Sequence, residues 1–363
     1  MASLLPIPIA PPGGVVKTES GRIAEGRFTD SLNIRFVMGT DGKARPQKKG
    51  GWTRASTAIS TGIIRSTKAW QSLAGNTFYA AGTNQRLYVY NSQFAQTDIT
   101  PIESSGTLGT NPFTTTNGSS IVTVAHNAHG RNIGDGVYYP GSSTGGGVTV
   151  TGVYPITSIT ANTYTFTATT ATSAASFGTG AAYQFLVASG VDVASFPTGV
   201  GIGGWGVGAW GVSQTATAIF NEPRIWSLDN FGQILIASYN GGSIYTFDPS
   251  ITFVRAAKIS TAPTDCRFAF VTPERYVMAL RAGMVLSWCN QGDYTVWTPA
   301  VGNTANTRTL TDGSKLIAGK VLGPRLNMIW SDTACYLNQW TGDAYVYSTD
   351  LVGRNCGLIS PNA

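Results

Sequence analysis

Short apolar runs along this chain come in pairs, and each pair is parted by a break that carries glycine, asparagine or aspartate. Ile234 to Tyr239 and Ile244 to Phe247 are rich in β-branched and aromatic residues. Asn240-Gly241-Gly242 between them supplies the positive-φ backbone of a tight hairpin. The same strand-turn-strand phrase recurs along the chain. Residues 77–81 turn at Thr83-Asn84-Gln85 into 87–90, 275–280 turn at Ala282-Gly283 into 284–288, and 326–330 turn at Ser331-Asp332 into 334–337.

Successive second strands carry an aromatic at Tyr245, Trp288 and Tyr336, at separations of 43 and 48 residues. That spacing is close to the roughly 40 to 50 residues of a four-stranded propeller blade. One such sheet cannot bury its apolar face alone, so neighbours must stack around an axis. The pattern therefore predicts an all-β protein with a β-propeller-like body of four-stranded blades. Tyr88 lies 157 residues before Tyr245; with residues 113–185 set aside, 84 remain, room for one degenerate blade between them.

Residues 113–185 read differently. Between Glu103 and Asp192 the only formally charged side chains are Arg131 and Asp135, and Thr, Ser, Gly and Ala dominate. Glycines and hydroxyls cut every apolar run well short of the ~20 residues of a membrane span. Alternation replaces it: Tyr164, Phe166 and Ala168 fall on one face of 163–169 and threonines on the other, while 121–124 and 147–153 supply partner strands. The expected layout is an N-terminal arm, basic hairpin and first blade over 1–112, an inserted small β-barrel or sandwich-like module over 113–185, and the remaining blades over 186–363.

Composition agrees with an all-β chain and adds a charge asymmetry. Of 363 residues 42% are hydrophobic and only 12% charged, with 44 glycines and no long amphipathic helical pattern. So few charges imply a surface largely covered by partners. The opening segment has no basic stretch and is broken by four prolines, so neither a signal peptide nor a membrane helix is expected there. The cysteines Cys266, Cys289, Cys335 and Cys356 lie far apart without CxxC spacing, as buried or incidental thiols would. Residues 1–91 hold twelve Lys or Arg against four acids, whereas 92–363 hold twelve against fourteen. Lys43, Arg45, Lys48, Lys49 and Arg54 cluster beside the Asp41-Gly42 turn. They form either an edge that attracts a polyanion, nucleic acid or an acidic protein face, or a solvated hairpin tip.

Reactive chemistry is sparse. His126 and His129 sit in a Gly-rich loop without Glu or Cys beside them, which points to turn capping rather than metal binding. Residues 201–206 match GxGxxG, but the Val-Gly-Ala-Trp-Gly that follows cannot start a helix, so no dinucleotide site and no cofactor is expected. The acids are scattered singly, which predicts no glycosidase-type carboxylate pair and no enzyme. Trp205 and Trp210 stand on a backbone of glycines, fit for a blade-to-blade seal, a subunit contact or a sugar platform.

Several phrases together resemble the tail hub or nozzle proteins of short-tailed bacteriophages, related to packaged-DNA stabilisation proteins. They are Gly26-Arg-Phe-Thr-Asp-Ser-Leu-Asn-Ile-Arg-Phe36 with Gly50-Gly51-Trp52-Thr53, and the Gly/Trp run followed by Pro223-Arg224-Ile225-Trp226-Ser227-Leu228-Asp229-Asn230-Phe231-Gly232. Residues 121–185, with Ala128-His129-Gly130 and Ala161-Asn162-Thr163-Tyr164, look like the small β insertions of phage tail proteins. The resemblance covers most of the chain, and none of its phrases is catalytic. It implies a virion tail protein made in the host bacterial cytoplasm: a ring of six subunits below the portal and adaptor, next to tail fibres or spikes, that retains packaged DNA and conducts it on infection. This chain departs from the pattern at its end, because family members run on beyond the Asn355-Cys356-Gly357 stretch with further strands. Two alternatives come from other classes: a tail adhesin with 113–185 as its binding head, and a sugar-binding or catalytic propeller with acids converging on its axis.

Overall fold

The computed structural model describes residues 34–38, 40, 44–51, 53–192, 222–251, 255–343 and 345–362. The chain divides into two units, Met1–Thr57 and Ala58–Ala363. The first contains an antiparallel hairpin of Ile34–Met38 and Ala44–Lys48.

The larger unit is a β-propeller-like body whose described residues form four blades, each an antiparallel meander of four strands in chain order. Blade one is Ile64–Gln71, Thr77–Thr83, Leu87–Tyr90 and Gln96–Asp98. Blade two is Trp226–Phe231, Ile234–Tyr239, Ile244–Phe247 and Ala257–Lys258. Blade three is Cys266–Val271, Val277–Arg281, Val285–Trp288 and Asn306–Thr309, and blade four is Leu316–Gly323, Leu326–Ser331, Ala334–Trp340 and Tyr347–Arg354. The turns follow the expected chemistry: Gly241 and Gly283 have φ of 83° and 69°. Among the described residues no helix is long and apolar enough to cross a membrane.

No blade has a core of its own. Trp70, Leu87 and Val89 of blade one share a buried cluster with Trp226, Leu235 and Tyr245 of blade two. Ile236 and Ile244 meet Cys266, Ala269 and Val277 across the next interface, and Tyr276, Leu286 and Trp288 meet Ile329 and Tyr336 across the third. Blades one and two thus pack directly on each other, which corrects the expectation of a degenerate blade between them. Approach there is close: a Cβ on Gly82 would lie 2.6 Å from Trp226 Cβ, so only glycine fits. The Trp226 indole N–H donates to Thr83 O at 2.9 Å, and the Trp70 indole donates to Gln233 O at 2.8 Å, stitching the two sheets in both directions.

Between blades one and two the chain builds a two-sheet sandwich. One sheet orders Val148–Pro155, Gly136–Gly145, Ala182–Leu186 and Ile102–Thr107; the other orders Ser158–Ile159, Thr163–Thr167, Ile121–Ala125, Phe113–Thr115 and Ala175–Phe177. The sandwich opens at Ile102 rather than residue 113. Its first strand is exposed at every position and so carries no alternating signal. Its core is private, with Phe113, Val124, Tyr139, Val150, Tyr164 and Phe166 all buried within it. Tyr139 and Tyr164 come from opposite sheets and share a hydrogen bond of 2.8 Å between their hydroxyls. At the stem, Val187 N–H donates to Pro101 O at 2.9 Å, so entry and exit lie side by side. Arg255 pairs with Asp98 at 3.2 Å and lies over the Tyr138 ring at 4.8 Å, holding the module against the body.

Candidate functional site: the basic hairpin and the axial pit

Period-two geometry decides which side the hairpin charges take. Arg35 stands opposite Gln47 and Val37 opposite Arg45, so both arginines share one face; Arg35 Nε donates to Gln47 Oε1 at 3.0 Å. Lys48 stands opposite Ile34, on the other face with Phe36 and Met38. Arg45 and Lys48 therefore do not form one patch, and Arg35, which sequence reasoning passed over, is the cation that joins Arg45. Lys49 is exposed just past the strand, and Arg54 donates to Thr57 O at 3.0 Å. Lys43, Trp205, Trp210 and the 201–206 glycine run lie outside the described residues.

In the larger unit the first strands of all four blades surround an axial pit of about 760 Å³. Arg65 and Lys68 reach it from blade one, Asp229 from blade two and Lys320 from blade four, with Phe268, Phe270 and Trp330 among the flat apolar walls. Asp229 is fully engaged. One carboxylate oxygen accepts from Lys68 Nζ at 2.7 Å and the other from the Val271 backbone N–H at 2.8 Å. A single side chain of blade two thus grips blades one and three at the axis. Arg65 pairs with Asp192 at 3.0 Å, and among the described residues Lys320 is the exposed cation of the pit outside any ion pair.

A second ionic knot lies beside the axis, where Glu222 accepts from Arg267 at 3.4 Å and from Lys315, tying blades three and four to the segment that leads into blade two. None of these pairings was signalled by local sequence, because partners such as Lys68 and Asp229 stand 161 residues apart. Among the described residues no group of three or more His, Cys, Asp or Glu side chains could hold a metal ion.

The two histidines belong to the module. His129 Nδ1 accepts the Arg131 N–H at 3.1 Å while Nε2 lies 2.9 Å from Thr160 O, so the ring caps the turn from both nitrogens. His126 stacks on Phe185 at 5.4 Å. Burial first, then His129 and Arg131, lower its pKa from the ordinary 6.5.

No family model matches the chain, and no curated protein matches it. Similar solved structures include a phage phi92 endosialidase, 14% identical over 80% of this chain and 50% of that one, with a TM-score of 0.25. Another is a Dos1 propeller, 11% identical over 91% of this chain and 66% of that one, with a TM-score of 0.30. This chain spans half the length of the endosialidase chain. Likenesses this distant do not bear on what the chain does. The class of the molecule, an all-β propeller-like body with an inserted sandwich, is set by its own strand order and cores.

Proposed function

We propose that this chain is a structural protein of a bacteriophage tail, a hub or nozzle subunit that multiplies into a ring. The ring sits below the portal and adaptor, retains packaged DNA and conducts it during infection. The observation that carries the reading is the use made of Asp229. A propeller with glycosidase-type chemistry would bring free acids together at its axis, whereas among the described residues the pit's carboxylate, Asp229, is consumed in clamping three blades together. A body braced in that way suits a mechanical load. The sequence phrases of residues 26–36 and 223–232 supply the specific family, and cyclic assembly would make each subunit contact heterologous, one face against a different face of its neighbour.

Arg35, Arg45, Lys48 and Lys49 give the hairpin cations on both faces, suited to a non-specific contact with phosphates or an acidic adaptor surface. Reversal of Lys43, Arg45, Lys48 and Lys49 to glutamate in assembled particles tests this contact. DNA retention should fall by about tenfold or more at low salt, and the gap to the unsubstituted particles should narrow as salt rises and screens the contact. Normal retention and assembly would remove the hairpin from the role. Imaging particles that carry a labelled copy tests the wider reading: a ring at the head-tail junction supports it, and label at the distal fibre tips overturns it.

A further inference from the structure

Cys335 and Cys356 stand 21 residues apart in sequence, yet their sulfurs are 3.4 Å apart. Cys335 lies on the third strand of blade four opposite Gly353, and that pairing makes the room. A Cβ on Gly353 would lie 2.8 Å from Cys356 Sγ and 3.5 Å from Cys335 Sγ. Residues 355–362 then leave the sheet and cross toward blade one, held by few bonds. Cys356 N–H donates to Thr333 O at 3.2 Å, Leu358 N–H to Ser331 O at 3.0 Å and Asn362 Nδ2 to Arg65 O at 3.1 Å. Ile359 is 90% exposed in the middle of this crossing. A segment so thinly bonded belongs to the low-stability end of a fold.

We propose that Cys335 and Cys356 form a reversible disulfide that fastens residues 355–362 to blade four and thereby steadies the link from blade four to blade one. The bond requires the sulfurs to close by about 1.4 Å to the usual ~2.05 Å, a shift that the exposed Cys356 side chain can supply. The oxidant is a low-molecular-weight disulfide such as oxidised glutathione. Cys356 meets it first: as a thiolate it attacks one sulfur of the oxidant and releases one reduced thiol. Cys335, whose pKa burial and the neighbouring thiol raise, then loses its proton, attacks the Cys356 sulfur of the mixed disulfide and expels the second reduced thiol. The protein gives up two protons and two electrons, and the small disulfide takes up both as two thiols. Cys266 and Cys289 stay out of the exchange, being buried thiols pushed up to about 12.

The pair belongs to blade four and its following segment alone, so its test is independent of the tail reading. The purified full chain is equilibrated in mixtures of oxidised and reduced glutathione, then mapped by peptide mass and by amide hydrogen exchange. The expected result is one intramolecular cross-link between Cys335 and Cys356, reversed by dithiothreitol, with exchange of the Cys356 and Leu358 amides slowed by about tenfold or more. Cys356→Ser should abolish both effects and leave the fold intact. Separate glutathione adducts on the two cysteines, or links only between molecules, would overturn the pairing. An intramolecular link that leaves exchange of residues 355–362 unchanged would overturn the fastening role.

Discussion

The blades and the inserted sandwich are built from the same kind of strand but are stabilised by opposite means. Every blade depends on its neighbour: Trp226, Leu235 and Tyr245 are buried only because blade one covers them. The sandwich folds two sheets over one aromatic core that draws on no blade. Polar groups divide in the same way. In the body they cross between sheets, as Asp229 does at the axis, while in the module the buried Tyr139–Tyr164 pair is internal. The stacked blades are thus one cooperative object, and the sandwich is a second one attached to it.

The chain offers a way to separate the two. All nine tryptophans lie outside residues 102–186, so tryptophan emission reports on the body and the hairpin unit but not on the module. The strongest break is expected from Trp226→Ala, which removes a side chain shared by two blades together with its bond to Thr83. It should cost the body about 3 to 5 kcal/mol in denaturant unfolding followed by tryptophan fluorescence. Amide exchange in residues 113–167 should stay unchanged; equal loss in both regions would refute the separation. Asp229→Ala frees Lys68 and the Val271 N–H at once and should cost the body about 1 to 3 kcal/mol by the same measurement. Tyr164→Phe strikes the other side. It deprives the buried Tyr139 hydroxyl of its partner and should cost the module about 1 kcal/mol by exchange, with the tryptophan transition unmoved.

The smallest effect is a difference in acid response. His126 binds its proton less readily folded than unfolded, so the stabilisation it gives is complete above pH 6.5 and is lost as pH falls from there through its lowered folded pKa. In blade four, the Thr341 hydroxyl and Tyr345 N–H hold Asp343 below its ordinary 3.8, so that contribution fades only as pH falls beneath that range. Exchange measured at pH 7 and pH 5 should show the module loosening while blade four does not.

Much of this organisation was legible in the residues, and the reasons it stopped where it did are physical. Second and third strands announce themselves, because their apolar runs are largely buried and are parted by turn residues: Tyr245, Trp288 and Tyr336, whose spacing gave the blade period, are all buried. Outer strands such as Asn306–Thr309 are exposed throughout, so nothing constrains their composition, and the same holds for Ile102–Thr107 at the edge of the sandwich. The axial pit was invisible because its lining, mainly the first strands of four blades with Trp330, Leu358, Pro361 and Asn362, is dispersed between residues 65 and 362. The hairpin charges could be counted but not aimed until the pairing of Ile34 with Lys48 fixed the register. The cysteines looked remote because the crossing of residues 355–362 leaves no mark in local pattern.

The bond between Val187 and Pro101 has a consequence for how such a chain can diversify. With the two stems already joined by backbone, a whole sandwich can be traded for another, or for a plain turn, without stretching the strands on either side. The propeller-like body can then stay constant while the appended piece changes.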